Sequence, residues 1–241
     1  MAKIDRKKLL KEPDEFLTIS DQAVRWSRTH TRLLIISVAS LLAVLILVVG
    51  IQTYLNHRQA QGAQALAQAF TYYADTVLGQ AEPAQANAAV KELTQVVEQY
   101  GATDAGQQAA LALGDVHLRL GQYAQAEKAL RELSDEPGLP PELAPLIWRG
   151  LGQALEGQKK YGEAAEAYQG AVKAAGPRLA NLFKLDQARV LAAAGQSSQA
   201  QEVYLSLAGQ DQDLTVSQLA RQRLVALGVA PESLPAPAVA Q

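Results

Sequence analysis

The sequence predicts an all-α chain, a single N-terminal transmembrane helix followed by an α-solenoid of paired helices. Three observations carry this. Residues 33–51, LLIISVASLLAVLILVVGI, form an apolar run with no charge, amide or proline. Beyond it the chain is rich in Ala and Gln, good helix formers, and shows no alternating strand pattern. Breakers then recur at Glu82-Pro83, Tyr100-Gly101, Gly121, Pro137-Gly138, Pro140-Pro141, Gly157, Gly176-Pro177 and Gly195, intervals that suit helices of about three to four turns.

Residues 1–32 read as a basic cytoplasmic tail. Lys3, Arg6, Lys7, Lys8, Lys11, Arg25, Arg28 and Arg32 face five acids, so this segment carries +3, and the remainder carries -5 of the total of -2. The opening KIDRKKLLKEPDEFL, broken by Pro13, is expected to be irregular, a solvated topogenic tail that touches anionic lipid. Thr18 or Ser20 is placed to N-cap a helix running through Val24 and Trp26. Residues 33–54 are the predicted span: as a helix the apolar run is about 29 Å long, the thickness of a hydrocarbon core. Trp26 and Tyr54 are expected near the two interfaces. Arg25, Arg28 and Arg32 precede the run closely, whereas Arg58 is almost alone after it until Lys91. The basic flank stays in the cytoplasm, so residues 55–228 are expected on the far side. The run is longer than a usual signal-peptide core and its basic prelude is long, so an uncleaved signal-anchor is expected.

From His57 to about Gly79 the sequence reads as a helix continuous with the anchor; Gly62 weakens it, and whether it is a hinge is not legible. The strongest internal pattern is IWRGLGQALEGQKKYGEAAEAYQGAVKAAGP. Trp148, Leu151, Gly152 and Leu155 occupy first-helix key positions of a tetratricopeptide repeat, and Ala164, Tyr168 and Ala171 occupy those of the second helix. Small Gly152 and Ala164 are expected to face each other where the helices touch, with Trp148 and Tyr168 filling the space above and below. In the copy before it, Gly114 corresponds to Gly152, Ala126 to Ala164 and Leu130 to Tyr168; in the next copy Ala188, Leu191, Gly195, Ala200 and Tyr204 stand at matching places, with departures at Lys184 and Gln187. A degenerate copy, with Ala89, Leu93, Val96 and Gly101 in its second helix, precedes all three. Residues 214–227 read as a capping helix, and 229–241, VAPESLPAPAVAQ, as an extended Pro/Ala-rich tail. The fold is therefore read as a tetratricopeptide-repeat α-solenoid behind one anchor.

Catalytic chemistry is not legible. There is no cysteine, and the histidines are His30, His57 and His117, of which His117 falls at a packing position. No HExxH, phosphate loop, GxSxG or dinucleotide fingerprint is present, and Glu163/Glu166 read as a solvated helix face. The sequence thus assigns no catalytic, cofactor or metal residue. An acidic domain without a basic stripe argues against nucleic acid. Binding remains: stacked first helices form a concave surface, and counting from the key positions places Leu111, Asp115, Leu118, Arg119, Arg149, Gln153, Glu156, Leu182, Leu185 and Arg189 on it. Arg149 and Arg189 are expected to project there as anchors for an acidic partner.

A short basic tail, one span and an acidic repeat domain marked by Trp148, Gly152, Ala164 and Tyr168 together resemble the YfgM-like family, the ancillary subunit of the bacterial SecYEG translocon, over roughly residues 20–228. The resemblance implies a non-enzymatic inner-membrane scaffold with a periplasmic domain, whose partners are the Sec translocon, periplasmic chaperones or exported clients. The alternative is a repeat scaffold of another envelope machine serving cell division, outer-membrane or cytochrome assembly. Neither oligomeric state nor client identity is legible.

Protease added to spheroplasts is expected to degrade everything beyond the span and leave tail and anchor protected. A repeat domain that survives until the membrane is lysed reverses the orientation, and a mature N-terminus mapped beyond Ile51 means cleavage.

Overall fold

The computed structural model describes residues 24–77, 83–209 and 213–234; the expected irregular start, the caps at Thr18 and Ser20, and residues 235–241 lie outside them. Among the described residues all regular structure is helical: α1 (Thr31–Val77), α2 (Pro83–Tyr100), α3 (Asp104–Arg119), α4 (Tyr123–Ser134), α5 (Ala144–Gly157), α6 (Tyr161–Ala174), α7 (Pro177–Ala193), α8 (Ser197–Ala208), α9 (Leu214–Ala226) and a 3-10 turn at Pro231–Ser233. The chain forms two compact units, Met1–His57 and Arg58–Gln241.

In the first unit residues 24–29 are helical, with a bend at His30 before α1 begins. The Trp26 ring stacks on His30 at 5.0 Å. The following stretch has a mean hydropathy of 3.1 over its most apolar window, none of it buried by protein. The hydroxyls of Ser37, Ser40 and Thr53 donate back to the carbonyls of Leu34, Ile36 and Val49, so even these polar groups are satisfied within the helix. The segment is a candidate membrane span.

In the second unit the helices pair in sequence order. One buried cluster joins Leu66 and Ala69 of α1 to Ala89, Leu93 and Val96 of α2 and to Ala109, Leu113 and Val116 of α3. The other runs from Leu130 and Leu133 of α4 through Leu151, Leu155, Ala164 and Tyr168 to Ala188, Leu191, Ala200, Tyr204, Leu207 and Leu224. Gly62 does not break α1. Its backbone lies against the α2–α3 turn, where an added Cβ would meet Thr103 Oγ1 at 3.0 Å and Ala105 Cβ at 3.3 Å. The glycine thus serves a packing contact, which a helix accommodates at modest propensity cost.

The repeat-core residues Ala126, Ala164, Ala171, Ala188 and Ala200 are fully buried, and Leu151 and Tyr204 nearly so. The close approach is built differently from the expectation. Gly152 faces the Tyr168 ring, which would stand 2.9 Å from a Cβ placed there, and Gly114 likewise faces Leu130 at 2.6 Å. The atoms nearest the small first-helix residue thus belong to the large residue sixteen positions later. Trp148 is also corrected. It remains 38% exposed, and its ring lies over Gly170, 2.8 Å from where a Cβ would be, on the flank of the pair instead of inside it.

The turn after each first helix from α3 onward, and the one after α9, repeats one backbone motif. Gly121, Gly195 and Gly228 have positive φ, and Lys159 takes the same place with φ 61°. In each case the next residue's N–H donates to a carbonyl five residues back: Gln122 to His117, Lys160 to Leu155, Gln196 to Leu191 and Val229 to Leu224. This is the Schellman closure. Val229 and Leu234, within the segment expected to be an extended tail, instead pack on the core.

Two stability outcomes follow for the Arg58–Gln241 unit. Ala164→Glu, which over-packs a fully buried site and strands a carboxylate, is expected to cost on the order of 3 kcal/mol; an unchanged thermal midpoint would mean the register is wrong. Lys159→Gly is expected to leave stability equal or raise it by up to about 1 kcal/mol, whereas Gly195→Ala loses about 1 kcal/mol, since only glycine adopts this conformation without strain. Denaturant midpoints with matched slopes distinguish the two signs.

Candidate partner-binding groove

The first helices line two adjoining cavities. One, about 250 Å³, is bounded by Tyr73 of α1, Leu111, Asp115, Leu118 and Arg119 of α3, Leu130 of α4, and Leu146, Arg149, Gly150 and Gln153 of α5. The other, about 330 Å³, is bounded by Leu146 and Arg149 of α5, Leu179, Leu182, Phe183, Leu185, Asp186 and Arg189 of α7, Tyr204 of α8, and Leu219 and Arg223 of α9. Leu146 and Arg149 belong to both, which makes one groove. A larger recess of about 630 Å³ is lined mainly by α6. Its rim carries Arg131, Glu163, Glu166 and Lys173, with Arg131 and Glu163 only 3.6 Å apart. It collects fewer exposed apolar side chains than the first-helix groove.

The structure brings Asp115, Leu118, Arg119, Arg149 and Gln153 together in the first cavity and Arg149, Leu182 and Arg189 in the second. Glu156 lines neither. It accepts from Arg189 and, at 3.2 Å, from the Tyr168 hydroxyl. Sequence reasoning missed Tyr73, Leu146, Leu179, Phe183, Asp186, Leu219 and Arg223. One signal was available: Leu146 and Leu182 stand 36 residues apart, the same interval that separates Gly152 from Ala188 and Tyr168 from Tyr204.

The arginines do not project freely as expected. Arg189 donates to Glu156 and, at 3.1 Å, to Asp186. Burial alone would lower its pKa, but the hydrogen bonds to Glu156 and Asp186 outweigh that and hold the proton more firmly than in a free guanidinium. Arg149 sits 3.7 Å from the same Asp186 and 5.9 Å above the Phe183 ring. Asp115 accepts from Arg119 at 2.8 Å and from the Tyr73 hydroxyl at 3.1 Å. The pairs form within a first helix, Asp115 with Arg119 and Asp186 with Arg189, and between stacked first helices, Arg149 with Asp186 and Glu156 with Arg189, and a half-buried cation takes a partner. His117 bonds Gln122 Oε1 at 2.7 Å, a packing role. Among the described residues no group of three His, Cys, Asp or Glu is arranged to hold a metal ion.

Residues 111–179 match a family model described as tetratricopeptide repeat, and residues 25–143 match one described as tetratricopeptide repeat-like domain. No curated protein and no solved structure matches the chain. The chain thus carries tetratricopeptide-type repeats, and stacks of such repeats generally act as binding surfaces for other proteins.

Burial, with the neighbouring Asp186 and Glu156 carboxylates, raises the Tyr168 pKa, and burial raises that of Tyr204. A raised folded-state pKa contributes stability that is complete below the unfolded value, about 10 for tyrosine, and is lost as pH rises through the folded value. Helicity is therefore expected to hold to about pH 9 and to decline above about pH 10. Tyr168→Phe is expected to flatten that decline and to cost about 1 kcal/mol at neutral pH through the lost hydrogen bond. Circular dichroism against pH measures both, and an identical alkaline limb in the variant removes Tyr168 from the explanation.

Proposed function

We propose that this chain, a tetratricopeptide-type repeat protein with one long apolar N-terminal helix, is a non-enzymatic membrane-anchored scaffold whose first-helix groove holds segments of other proteins. In this reading residues 1–32 are cytoplasmic, 33–54 span a bacterial inner membrane, and 55–228 are periplasmic. The partners are the Sec translocon, periplasmic chaperones or newly exported proteins. The observation that carries the scaffold reading is the groove continuous from Tyr73 to Arg223, with exposed leucines rising between its polar residues. The layout is supported by a single family model that takes residues 25–143, the apolar segment together with the first repeats. The basic flank of the span supports the orientation, and the resemblance to the YfgM-like family supports the Sec assignment.

A photo-crosslinking residue in place of Gln153, in the full chain expressed in cells, tests this. Gln153 lines the groove. Crosslinks to translocon subunits, chaperones or exported proteins are the expected outcome. Crosslinks to division, outer-membrane or cytochrome assembly proteins would assign the scaffold to another envelope machine. Crosslinks from Glu166 on α6 with none from Gln153 would move the binding surface to the second-helix face.

A further inference from the structure

We infer that the groove selects an uncharged apolar segment of its partner rather than an acidic one. This rests on the scaffold reading above and names the chemistry of the same site.

Two observations carry it. First, the groove supplies its own counter-ions. Arg119 is bonded to Asp115, Arg189 to Glu156 and Asp186, and Arg149 lies against Asp186 and the face of Phe183. Each of these cations already has a carboxylate beside it, so an incoming carboxylate gains less from it and meets repulsion from the one already seated. Arg223 of α9, the remaining arginine of the second cavity's lining, is exposed to solvent, where an ion pair gains little. Second, the side chains left exposed between these pairs are leucines. Leu146 and Leu182, 44% and 45% exposed, hold the same position in successive repeats, and Leu179 and Leu219 join them along the second cavity. Exposed apolar side chains gathered in one recess and rimmed by satisfied polar groups mark a surface that excludes water when a partner's apolar side chains enter. The paired charges fix the walls, and the leucines supply the attraction.

The experiment uses the full chain in lipid nanodiscs, with empty nanodiscs as the blank. Two fluorescent peptides of equal length are compared by anisotropy, one of Leu, Val, Ser and Gln, the other identical except for Asp at two of the Leu positions. The apolar peptide is expected to bind about tenfold tighter or more. Its affinity should change less than about twofold when salt is raised from about 0.1 M to about 1 M, which shortens the screening length from roughly 10 Å to 3 Å. The double variant L146S/L182S should lose about tenfold while keeping its circular dichroism spectrum, whereas substituting the exposed Glu166 on α6 should change nothing. Tighter binding of the acidic peptide, an affinity that collapses with salt, or apolar binding unaffected by L146S/L182S in a folded protein would each overturn the inference. Failure of both peptides overturns it too; if Gln153 still crosslinks partners in cells, the scaffold reading survives that failure. Crosslinks from Gln153 to a second copy of this chain would replace the partner segment by self-association.

Discussion

The repeat domain depends on one contact, a small residue on each first helix covered by a large residue sixteen positions later. Gly114 under Leu130 and Gly152 under Tyr168 are the two clearest cases, and Ala188 with Tyr204 keeps the spacing with one methyl more. The absent side chain lets the two backbones approach, and the large one fixes how closely. Leu130 serves twice, since its Cδ1 also lies 2.8 Å from where a Cβ on Gly150 would stand. The side chain that closes one pair therefore also receives the next. Stability in such a stack is a sum of units and of interfaces between neighbours, and here one leucine contributes to both.

Polar ties reinforce the same interfaces. Glu127 on α4 accepts from Gln158 at 2.7 Å, from Lys160 at 3.1 Å and from Arg131 on its own helix. Burial alone would raise its pKa, but these three donors outweigh it and hold the carboxyl below its ordinary range. One repeat further on, Arg189 of α7 reaches Glu156 of α5. Individually such half-exposed pairs are worth little. Their effect is on register: each carboxylate meets its donors only if neighbouring repeats stack in one arrangement.

Helix pairing and breakers were legible because they depend on local spacing, and Ala164 and Tyr168 are fully buried. What the offsets could not express is which residue covers which. Tyr168 reaches across to Gly152, and Trp148 goes to the flank over Gly170, because side-chain direction along a helix is not contained in sequence distance. The same limit applied to the groove. Part of its lining was countable from the key positions, but Arg149 looked free because its partner Asp186 was missing from the count, and counting could not show that Glu156 turns to Arg189. The role of Gly62 was not legible for a related reason: glycine signals a break or a close approach, and only the α2–α3 turn lying against it distinguishes the two.

Among the described residues exposed apolar side chains gather along the apolar run and in the groove, and the character of the exposure differs. Along residues 33–51 it extends around nearly the whole helix, with hydroxyls returned to the helix's own carbonyls; a surface apolar on every side has no orientation to offer a protein partner and suits a solvent that is itself apolar. In the groove it is one-sided and interrupted. Leu146, Leu182 and Leu219 rise between ion pairs that already satisfy one another. Such a surface is too polar at its rim for lipid, and its walls are held in place by charge pairs. That combination suits a partner that brings apolar side chains to defined places and leaves its charges outside.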